Sequence, residues 1–364
     1  MPALPPIPDL PQNLRKGARI AVAMSGGVDS SVVAGWLHGA GFEVVGVTLM
    51  LEGFLDSCCS IHDAKRVCAS LDNIPHHVIE HTAAFRAEVI NPFLAAYAVG
   101  ETPNPCVRCN RVIKFSAMLD ACERLGCDAM ATGHYARILH GEDGPQLHMG
   151  ADMRRDQSYF LSSIARESLG RILFPIGSLS KTETRALAET LALPVAKKPD
   201  SQDLCFSGGL SFRDYMTQNL PESVRPGPIL AMDGRELGLH EGIAFYTVGQ
   251  RRGLGVASDA PLFVVEIDAA RNAIIVGPKE ALAKSIVPLA EINLLLPEKP
   301  SAPLTGSGKL RSAQAQAPCT LTLGDGDTAT LAFDAPQYGV SPGQAGVFYQ
   351  GTRVIAGGKI EKSA

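Results

Sequence analysis

Hydrophobic and polar positions in the first half of the chain follow two alternating patterns. Short apolar runs that predict buried strands occur at 18–24 and 43–50, and further strands are predicted at 76–81 and 127–134. Amphipathic stretches that predict helices occur at 31–40, 62–72, 83–98, 111–126 and 181–193. Strands that alternate with helices are typical of a doubly wound parallel sheet, so we predict an α/β domain. Such sheets bind ligands at the carboxyl ends of their strands, where SGGVDS (25–30) and TGHY (132–135) stand.

The pattern changes near residue 215, beyond which helical periodicity fades. Strands are predicted at 261–268 and 272–277, and two hairpins at 319–333 and 345–360. The Pro, Gly and Ser residues of 296–308 predict a loop. We therefore expect an extended tail, a parallel-sheet catalytic domain, a small central domain and a C-terminal β-barrel-like domain. Their expected bounds are 1–17, 18–215, 216–285 and 286–364.

Composition narrows the class of protein. The 364 residues are 46% hydrophobic and 19% charged, which is ordinary for a globular enzyme and excludes a disordered chain. No apolar run approaches the ~20 residues of a membrane helix, and the proline-rich start lacks the core of a signal peptide. We therefore expect a cytoplasmic protein without a membrane partner. A net charge of −4 argues against a surface coated for nucleic acid but allows local basic patches.

The sharpest motif is the glycine-rich loop from Ser25 to Ser30, which joins a predicted strand to a predicted helix. Glycines let the backbone approach an anion, and a helix N-terminus offers free N–H groups. The loop lacks the Gly-Lys-Ser/Thr of a Walker A motif, and a capped strand–helix turn is the alternative interpretation. It resembles the PP-loop of ATP pyrophosphatases, which split ATP to AMP and pyrophosphate while adenylating a carbonyl oxygen. This resemblance makes Asp29 a candidate for holding Mg²⁺.

The nine cysteines include three that suit chemistry. Cys106 and Cys109 stand in a segment (102–110) whose prolines predict a loop, and Cys205 stands in another polar loop. Because basic residues flank both segments, we expect lowered thiol pKa values. Packing roles remain the alternative for all three. The other cysteines are expected to be structural: Cys58, Cys59, Cys68, Cys122, Cys127 and Cys319.

Longer segments identify a family. TPNPCVRCNRVIKF, ATGHYARI, RRDQSYFLSSI, TVGQRRGLG and SPGQAGVFYQG resemble, in order over about 18–360, the tRNA-specific 2-thiouridylases. The resemblance implies an adenine nucleotide alpha hydrolase-like PP-loop domain that uses ATP and Mg²⁺ to replace O2 of the wobble uridine of tRNA with sulfur. It also implies a persulfide donor as partner, such as a cysteine desulfurase or sulfur-relay protein. Cys205 matches the persulfide carrier and Cys109 its partner, with which it closes a disulfide.

The same resemblance implies the binding residues. The positions that match ATP contacts are Ala23, Met24, Ser25, Gly26, Gly27, Val28, Asp29, Ser30, Leu49 and Gly133. The positions that match tRNA contacts are Asn104, Pro105, Cys106, Arg155, Asp156 and Gln157. At Ser312–Ala313 this chain lacks the aromatic–basic pair expected for a further tRNA contact.

One departure leaves the sulfur chemistry open. Many family members carry Asp where this chain has Cys106, a candidate catalytic thiol here. Either sulfur passes through a persulfide and a disulfide, or Cys106, Cys109 and Cys205 hold a [4Fe–4S] cluster with one open iron position. Two other functions stay as alternatives: a PP-loop adenylase with an amine nucleophile, and a non-enzymatic tRNA-binding or iron–sulfur carrier protein.

Overall fold

The fold is that of a computed structural model, which describes residues 4–11, 14–52, 58–200 and 204–362, with the backbone alone at 58–59. Within these ranges, no helix combines the length and the apolar composition that crossing a membrane requires. The side chains of Cys58 and Cys59 therefore lie outside the described part of the chain.

The strands in chain order are β1 Arg19–Ala23, β2 Glu43–Met50, β3 His76–Glu80, β4 Ala129–Ala131, β5 Ala136–Gly141, β6 Gly144–Met149, β7 Ile172–Leu173, β8 Gly227–Ala231, β9 Glu236–His240, β10 Phe263–Asp268, β11 Ala273–Gly277, β12 Lys284–Leu294, β13 Leu304–Lys309, β14 Ala317–Leu323, β15 Ala329–Gln337, β16 Ala345–Gln350 and β17 Arg353–Ile360. The α-helices are α1 Val28–Gly39, α2 Cys58–Ser70, α3 Thr82–Phe85, α4 Asn91–Ala98, α5 Pro105–Cys109, α6 Phe115–Arg124, α7 Ser158–Leu161, α8 Lys181–Thr190 and α9 Phe212–Asn219. Turns of π-helix, at Arg86–Ile90 and Asn110–Lys114, join α3 to α4 and α5 to α6.

A five-stranded parallel sheet forms the centre of the N-terminal part, in the order β3-β2-β1-β4-β7. Large apolar clusters pack on this sheet, and buried Val22 and Trp36 belong to one of them while Met130 belongs to another. The predicted doubly wound α/β fold is confirmed. The strand order reverses beside β1, so the loop after β1 opens at the edge where such sheets bind ligands.

The segment that carries the paired cysteines is helical, so the prediction of a loop over 102–110 is wrong. Asn104 caps the helix, because its side-chain oxygen accepts a hydrogen bond from Val107 N at 3.2 Å. Pro105 occupies the first turn, where its missing N–H costs nothing. The same residues that suggest a loop therefore start a helix, and Cys106 and Cys109 lie in its first turns.

The second half consists of a small sheet and a closed barrel. The small sheet has the order β10-β11-β8-β9. The barrel has the order β12-β15-β14-β13-β16-β17 and closes where β12 pairs with β17, which confirms the barrel prediction. The β5–β6 hairpin, which the sequence analysis missed, reaches β17 through the Arg353–His148 pair. The predicted loop 296–308 contains the start of β13, and helix α9 was also missed.

Candidate active site

The glycine-rich loop forms an anion cradle between β1 and α1. Gly27 occupies the N-cap of α1, and among the described residues no side chain caps the free N–H groups of that first turn. Ser30 Oγ accepts a hydrogen bond from Ser25 N at 3.2 Å, which holds the loop closed on itself. Gly26 has a φ of +69°, and a Cβ there would overlap the Ser60 carbonyl group. The loop therefore needs glycine and leaves backbone donors for a phosphate.

A lysine and a tyrosine hold the carboxylate of Asp29. Lys181 Nζ lies 2.8 and 2.9 Å from its two oxygens, and the side chain of Lys181 is only 12% exposed. Tyr135 donates its hydroxyl to Asp29 Oδ1 at 3.0 Å and also lies 3.0 Å from Thr184 Oγ1. In this structure, Lys181 and Tyr135 donate hydrogen bonds to the Asp29 carboxylate oxygens, the atoms that a bound Mg²⁺ would also contact.

Further charges extend from Asp29 along the same edge of the sheet. Lys181 also bonds Asp200 at 2.8 Å, and Arg185 bonds the same carboxylate at 3.0 Å. Lys198 Nζ donates to the Gly26 carbonyl at 3.1 Å. Lys198 also pairs with Asp63 at 2.7 Å. The edge thus holds a network of paired charges beside the anion cradle, in which Lys181, Arg185 and Lys198 are each fixed by a carboxylate.

The TGHY turn lies directly against the cradle. A Cβ on Gly133 would sit 2.7 Å from Ser30 N and 2.9 Å from Asp29 C, so the two backbones touch. His134 follows, stacked on Phe115 with 5.9 Å between ring centroids. Burial, and secondarily the charge of Lys114, lower the pKa of His134 well below its usual value. This histidine is therefore neutral near pH 7.

The three candidate thiols lie on two elements that meet at one apolar cluster. Cys109 is buried, whereas Cys106 and Cys205 keep exposed surface. Cys109 and Phe206 belong to the same cluster, and the Phe206 ring lies 5.3 Å from Phe93 and 5.4 Å from Tyr215. The packing of Phe206 therefore fixes the segment that carries the neighbouring Cys205.

Protein atoms around the thiols raise their pKa values, so the prediction of lowered pKa values is wrong. Desolvation by the surrounding protein raises the pKa of buried Cys109. It also raises the pKa of Cys106 and raises that of Cys205 to about 12, although both thiols keep exposed surface. Arg108 and Arg111, expected to lower these values, form ion pairs with glutamates instead. The charges of Cys109 and Cys106 raise the pKa of Cys205 further. Cys106 and Cys109 lie three residues apart on α5, and Phe206, which follows Cys205, packs in the same cluster as Cys109.

Lys114 is the cation that opposes this effect. Its charge lowers the pKa of Cys106, Cys109 and Cys205 against the larger effect of burial. The same ammonium acts on His134, which follows the glycine that touches the cradle. Lys114 precedes Phe115, the residue that stacks on His134, so the helical run that carries the thiols reaches the TGHY turn.

The sequence matches three family models and many full-length relatives. The models are described as a tRNA methyl transferase HUP domain (18–209), a tRNA methyl transferase PRC-barrel domain (213–278) and an aminomethyltransferase beta-barrel domain (285–360). A tRNA-specific 2-thiouridylase from Rhodospirillum centenum is 46% identical over 362 residues, covering 95% of this chain and 92% of the relative. The chain belongs to the tRNA-specific 2-thiouridylase family. A second member, from Roseiflexus sp., is 43% identical over 372 residues, and the match covers 95% of this chain and 100% of the relative's length.

Among solved structures, the U34-tRNA thiolase of Methanococcus maripaludis, determined with its [4Fe–4S] cluster, is 21% identical to this 2-thiouridylase family member. It covers 58% of this chain and 71% of its own, with a TM-score of 0.36. A TM-score this low carries no argument about chemistry.

The positions expected to contact tRNA in this 2-thiouridylase family member differ in exposure. Arg155 is exposed and bonds Asp200 at 3.2 Å. The Asp156 side chain is only 1% exposed, accepts hydrogen bonds from the backbone of Gly150 and Ser158, and faces Lys309 at 3.8 Å. Gln157 accepts a hydrogen bond from Tyr135 N. Arg155 is thus the member of this stretch with an exposed side chain, and tRNA contact at all three remains a prediction.

The fit to a metal cluster is poor in the described residues. No three His, Cys, Asp or Glu side chains there are arranged to hold a metal ion. Cys106, Cys109 and Cys205 are mutually near, but they do not form a ready cluster site. The remaining described cysteines, Cys68, Cys122, Cys127 and Cys319, are buried thiols.

Sequence reasoning missed several residues of the site. Lys181, which bonds Asp29, and Asp200, which bonds Lys181, were not singled out. Tyr135 and Lys198 stood in segments of interest, TGHY and the Lys197–Lys198 pair, but their contacts with the glycine-rich loop were not predicted. The signal lay in the capping box of α8, where Ser180 and Glu183 fix the helix start that carries Lys181.

Proposed function

We propose that this chain is a tRNA-uridine 2-sulfurtransferase, which uses ATP to replace O2 of the wobble uridine with sulfur. Membership of the 2-thiouridylase family supports the reaction. The observation that carries the site assignment is the stacking of Phe115 on His134: Phe115 continues the helical run that carries Cys106 and Cys109, and His134 follows Gly133, which touches the phosphate cradle. Adenylation and sulfur delivery therefore have their chemical groups along one edge of the sheet.

The nucleotide part of the site consists of Ala23 through Ser30 with Leu49 and Gly133. Free N–H groups at the start of α1 bind phosphate oxygens, and Lys198 adds positive charge at the Gly26 carbonyl. Asp29 is the carboxylate that would hold Mg²⁺, which when bound neutralises phosphate charge as pyrophosphate leaves. Lys181 orients that carboxylate through both of its oxygens.

Cys205 carries the sulfur as a persulfide, and Cys109 releases it. A donor persulfide transfers its outer sulfur to Cys205, which leaves the donor with a free thiolate. Uridine O2, as N3 gives up its proton, attacks the α-phosphorus of ATP and releases pyrophosphate. The Cys109 thiolate attacks Cys205 Sγ, forms the Cys109–Cys205 disulfide and releases HS⁻. This sulfide adds to C2, AMP leaves with O2, and the sulfide proton passes to N3. An external dithiol then reduces the disulfide.

Cys106 distinguishes this route from a [4Fe–4S] cluster on the same three thiols. With the thiols as arranged here, sulfur delivery is assigned to Cys205 and Cys109 alone. On this route Cys106→Asp, which restores the residue many relatives carry, retains thiolation in air. Loss of all activity in this variant, together with iron and acid-labile sulfide in anaerobically purified wild-type protein, would establish the cluster instead.

RNA binding is assigned to basic side chains around the site and to the barrel. Exposed arginines and lysines that suit phosphate contacts are Arg154, Arg155, Lys197, Arg251 and Arg252. We retain residues 286–364 as the tRNA-contacting unit, with 18–215 as the catalytic domain and 216–285 between them. Asn104, Pro105 and Cys106 lie at the start of the cysteine helix, where a base leaving its stack would meet the thiols.

The test of this function is the fate of labelled ATP. Protein is mixed with Mg-ATP, with or without unmodified tRNA, and the products are separated. The proposal predicts AMP and pyrophosphate that depend on tRNA carrying a wobble uridine. Formation of ADP, or AMP formation that ignores tRNA, would contradict it. An adenylase with an amine nucleophile would form AMP without RNA when its own substrate is supplied.

A further inference from the structure

Two turns from the second half of the chain meet at the start of the cysteine helix. We name Thr247–Gln250 the TVGQ turn and Ser341–Gln344 the SPGQ turn. They belong to the TVGQRRGLG and SPGQAGVFYQG segments, to which the proposed reaction assigns no role. Arg311 joins them, because its Nη2 donates to Val248 O at 2.8 Å and lies 2.9 Å from Ser341 Oγ. The two turns therefore form one junction.

The junction is tightly packed at the backbone level. Gly249 has a φ of +88°, and a Cβ there would lie 2.7 Å from Gly339 Cα. Ser341 Oγ also donates to Val248 O at 3.1 Å. Arg251 and Arg252 follow the TVGQ turn immediately and are exposed. A tRNA phosphate bound by these arginines would therefore be linked to the SPGQ turn through tightly packed backbone.

The SPGQ turn holds the residues that precede the cysteine helix. Pro342 O accepts a hydrogen bond from Thr102 N at 2.9 Å. Gln344 Nε2 donates to Thr102 O at 2.9 Å and to Pro103 O at 3.4 Å. Its Oε1 accepts from Asn104 Nδ2 at 3.4 Å, while Asn104 Oδ1 caps the helix. One side chain of the barrel thus bonds three successive residues before Pro105.

We propose that Gln344 is a positioning residue that connects the RNA-contacting half of the molecule to the thiols of Cys106 and Cys109. It acts by holding Thr102–Asn104, so that the capped first turn of α5 keeps Cys109 buried and Cys106 accessible. The positioning of the helix stands on the contacts alone. Only the claim that bound tRNA acts on the cysteine helix through Gln344 rests on the proposed function.

The first test measures thiol reactivity without any substrate. Gln344→Ala removes both donor and acceptor, and Gln344→Glu keeps the size but replaces the donating amide with a carboxylate. Gln350→Ala is the matched control, because Gln350 is also a barrel glutamine that donates to a backbone carbonyl, Thr305 O, but it is exposed and lies at the other end of β16. Iodoacetamide labelling of each cysteine is followed by peptide mass spectrometry, with Cys205 as the internal reference.

Loss of these hydrogen bonds frays the helix start, so Cys109 labelling in either Gln344 variant should rise by about fivefold or more. Cys205 labelling, and all labelling in Gln350→Ala, should stay at the wild-type rate. A folded Gln344→Glu or Gln344→Ala protein whose Cys109 reacts within about twofold of wild type would overturn the proposal. If Gln344→Ala fails to fold, Gln344→Glu gives the answer alone.

The second test measures thiolation at varied tRNA concentration. A positioning role predicts a lower kcat with an unchanged KM for tRNA in Gln344→Glu, whereas simple damage to the barrel predicts a raised KM. A raised KM with unchanged kcat would overturn the coupling to the thiols. If wild-type protein does not thiolate tRNA, the proposed function fails, and the labelling result still decides whether Gln344 positions the helix.

Discussion

Lys181 Nζ bonds both carboxylate oxygens of Asp29, at 2.8 and 2.9 Å. The pair joins the start of α8 to the first turn of α1, far apart in the chain and adjacent in the fold. Because the Lys181 side chain is 12% exposed, little water competes for the ammonium. The glycine-rich loop is therefore fixed by a residue about 150 positions away.

Lys181→Met should greatly reduce ATP use. The substitution keeps the side-chain length but removes the cation that pairs with Asp29, so this carboxylate is left uncompensated and repels a phosphate, whereas Asp200 keeps Arg185 and Arg155. We expect the rate of AMP formation to fall by about 100-fold, corresponding to about 2.7 kcal/mol. Lys16→Met is the control, because Lys16 is exposed and belongs neither to the nucleotide site nor to the proposed tRNA contacts. Equal rates in the two variants would remove Lys181 from the site.

Gly133→Ala should prevent the TGHY turn from closing on the cradle. Its Cβ would lie 2.7 Å from Ser30 N, so the turn or the loop must move. We expect loss of ATP binding in equilibrium titration. Gly170→Ala, whose Cβ would meet only Pro145 at an ordinary 3.8 Å, should bind ATP like wild type. Normal ATP affinity in Gly133→Ala would show that the cradle tolerates this displacement.

The labelling rate of Cys205 should rise throughout the alkaline range. Its pKa is raised from about 9 to about 12, so the reactive thiolate increases about tenfold per pH unit from about pH 7 to pH 10. Because the folded state disfavours the Cys205 thiolate, the free energy of unfolding falls as pH rises above about 9, the pKa of this thiol in the unfolded chain. A labelling rate that levels off near pH 7 would contradict a raised pKa.

Lys114→Gln should slow labelling of Cys106, Cys109 and Cys205 together. Removing the ammonium removes the charge that lowers all three pKa values, so the thiolate fraction at a fixed pH falls. Arg111→Gln should leave these rates unchanged, because Arg111 pairs with Glu291 at 3.0 Å. A decrease confined to Arg111→Gln would show that the wrong cation had been assigned to the thiols.

Asp156→Asn and Arg155→Ala should separate two neighbours in one predicted tRNA-contacting stretch. Asp156 is buried against Lys309, so losing its charge should lower the free energy of unfolding by about 3 kcal/mol. Arg155 is half-exposed in its pair with Asp200, so its loss should cost less than about 1 kcal/mol. Urea unfolding measures both values. Similar losses would contradict the different burial of the two side chains.

The sequence pattern predicted four of the five strands of the parallel sheet, of which β1 and β2 are the clearest because they are short apolar runs. Strand β7 has two residues and was not predicted. The paired cysteines show where such reasoning fails. Pro105 and Asn104 are common in loops, and their use as first-turn residue and cap depends on the helix that follows. Helix α9 and the β5–β6 hairpin have weak apolar patterns and are held by packing against distant elements.

The local sequence also did not predict which charges act on the three thiols. Arg108 and Arg111 lie next to the cysteines in the chain, but their side chains turn to Glu88 and Glu291. The cation that lowers the thiol pKa values is instead Lys114, which ends the π-turn after Cys109. Proximity along the chain did not predict which charge meets the sulfur.

The central claim is that Cys205 carries sulfur to C2 of a tRNA uridine. Wild-type, Cys205→Ser and Cys319→Ser proteins are incubated anaerobically with unmodified tRNA, Mg-ATP and a persulfide donor, and digested nucleosides are read by mass spectrometry. Cys319 is a buried barrel thiol and serves as the control. We predict 2-thiouridine with wild type and Cys319→Ser, and none with Cys205→Ser, which still forms AMP. A 2-thiouridine peak from Cys205→Ser equal to that of wild type would contradict the account.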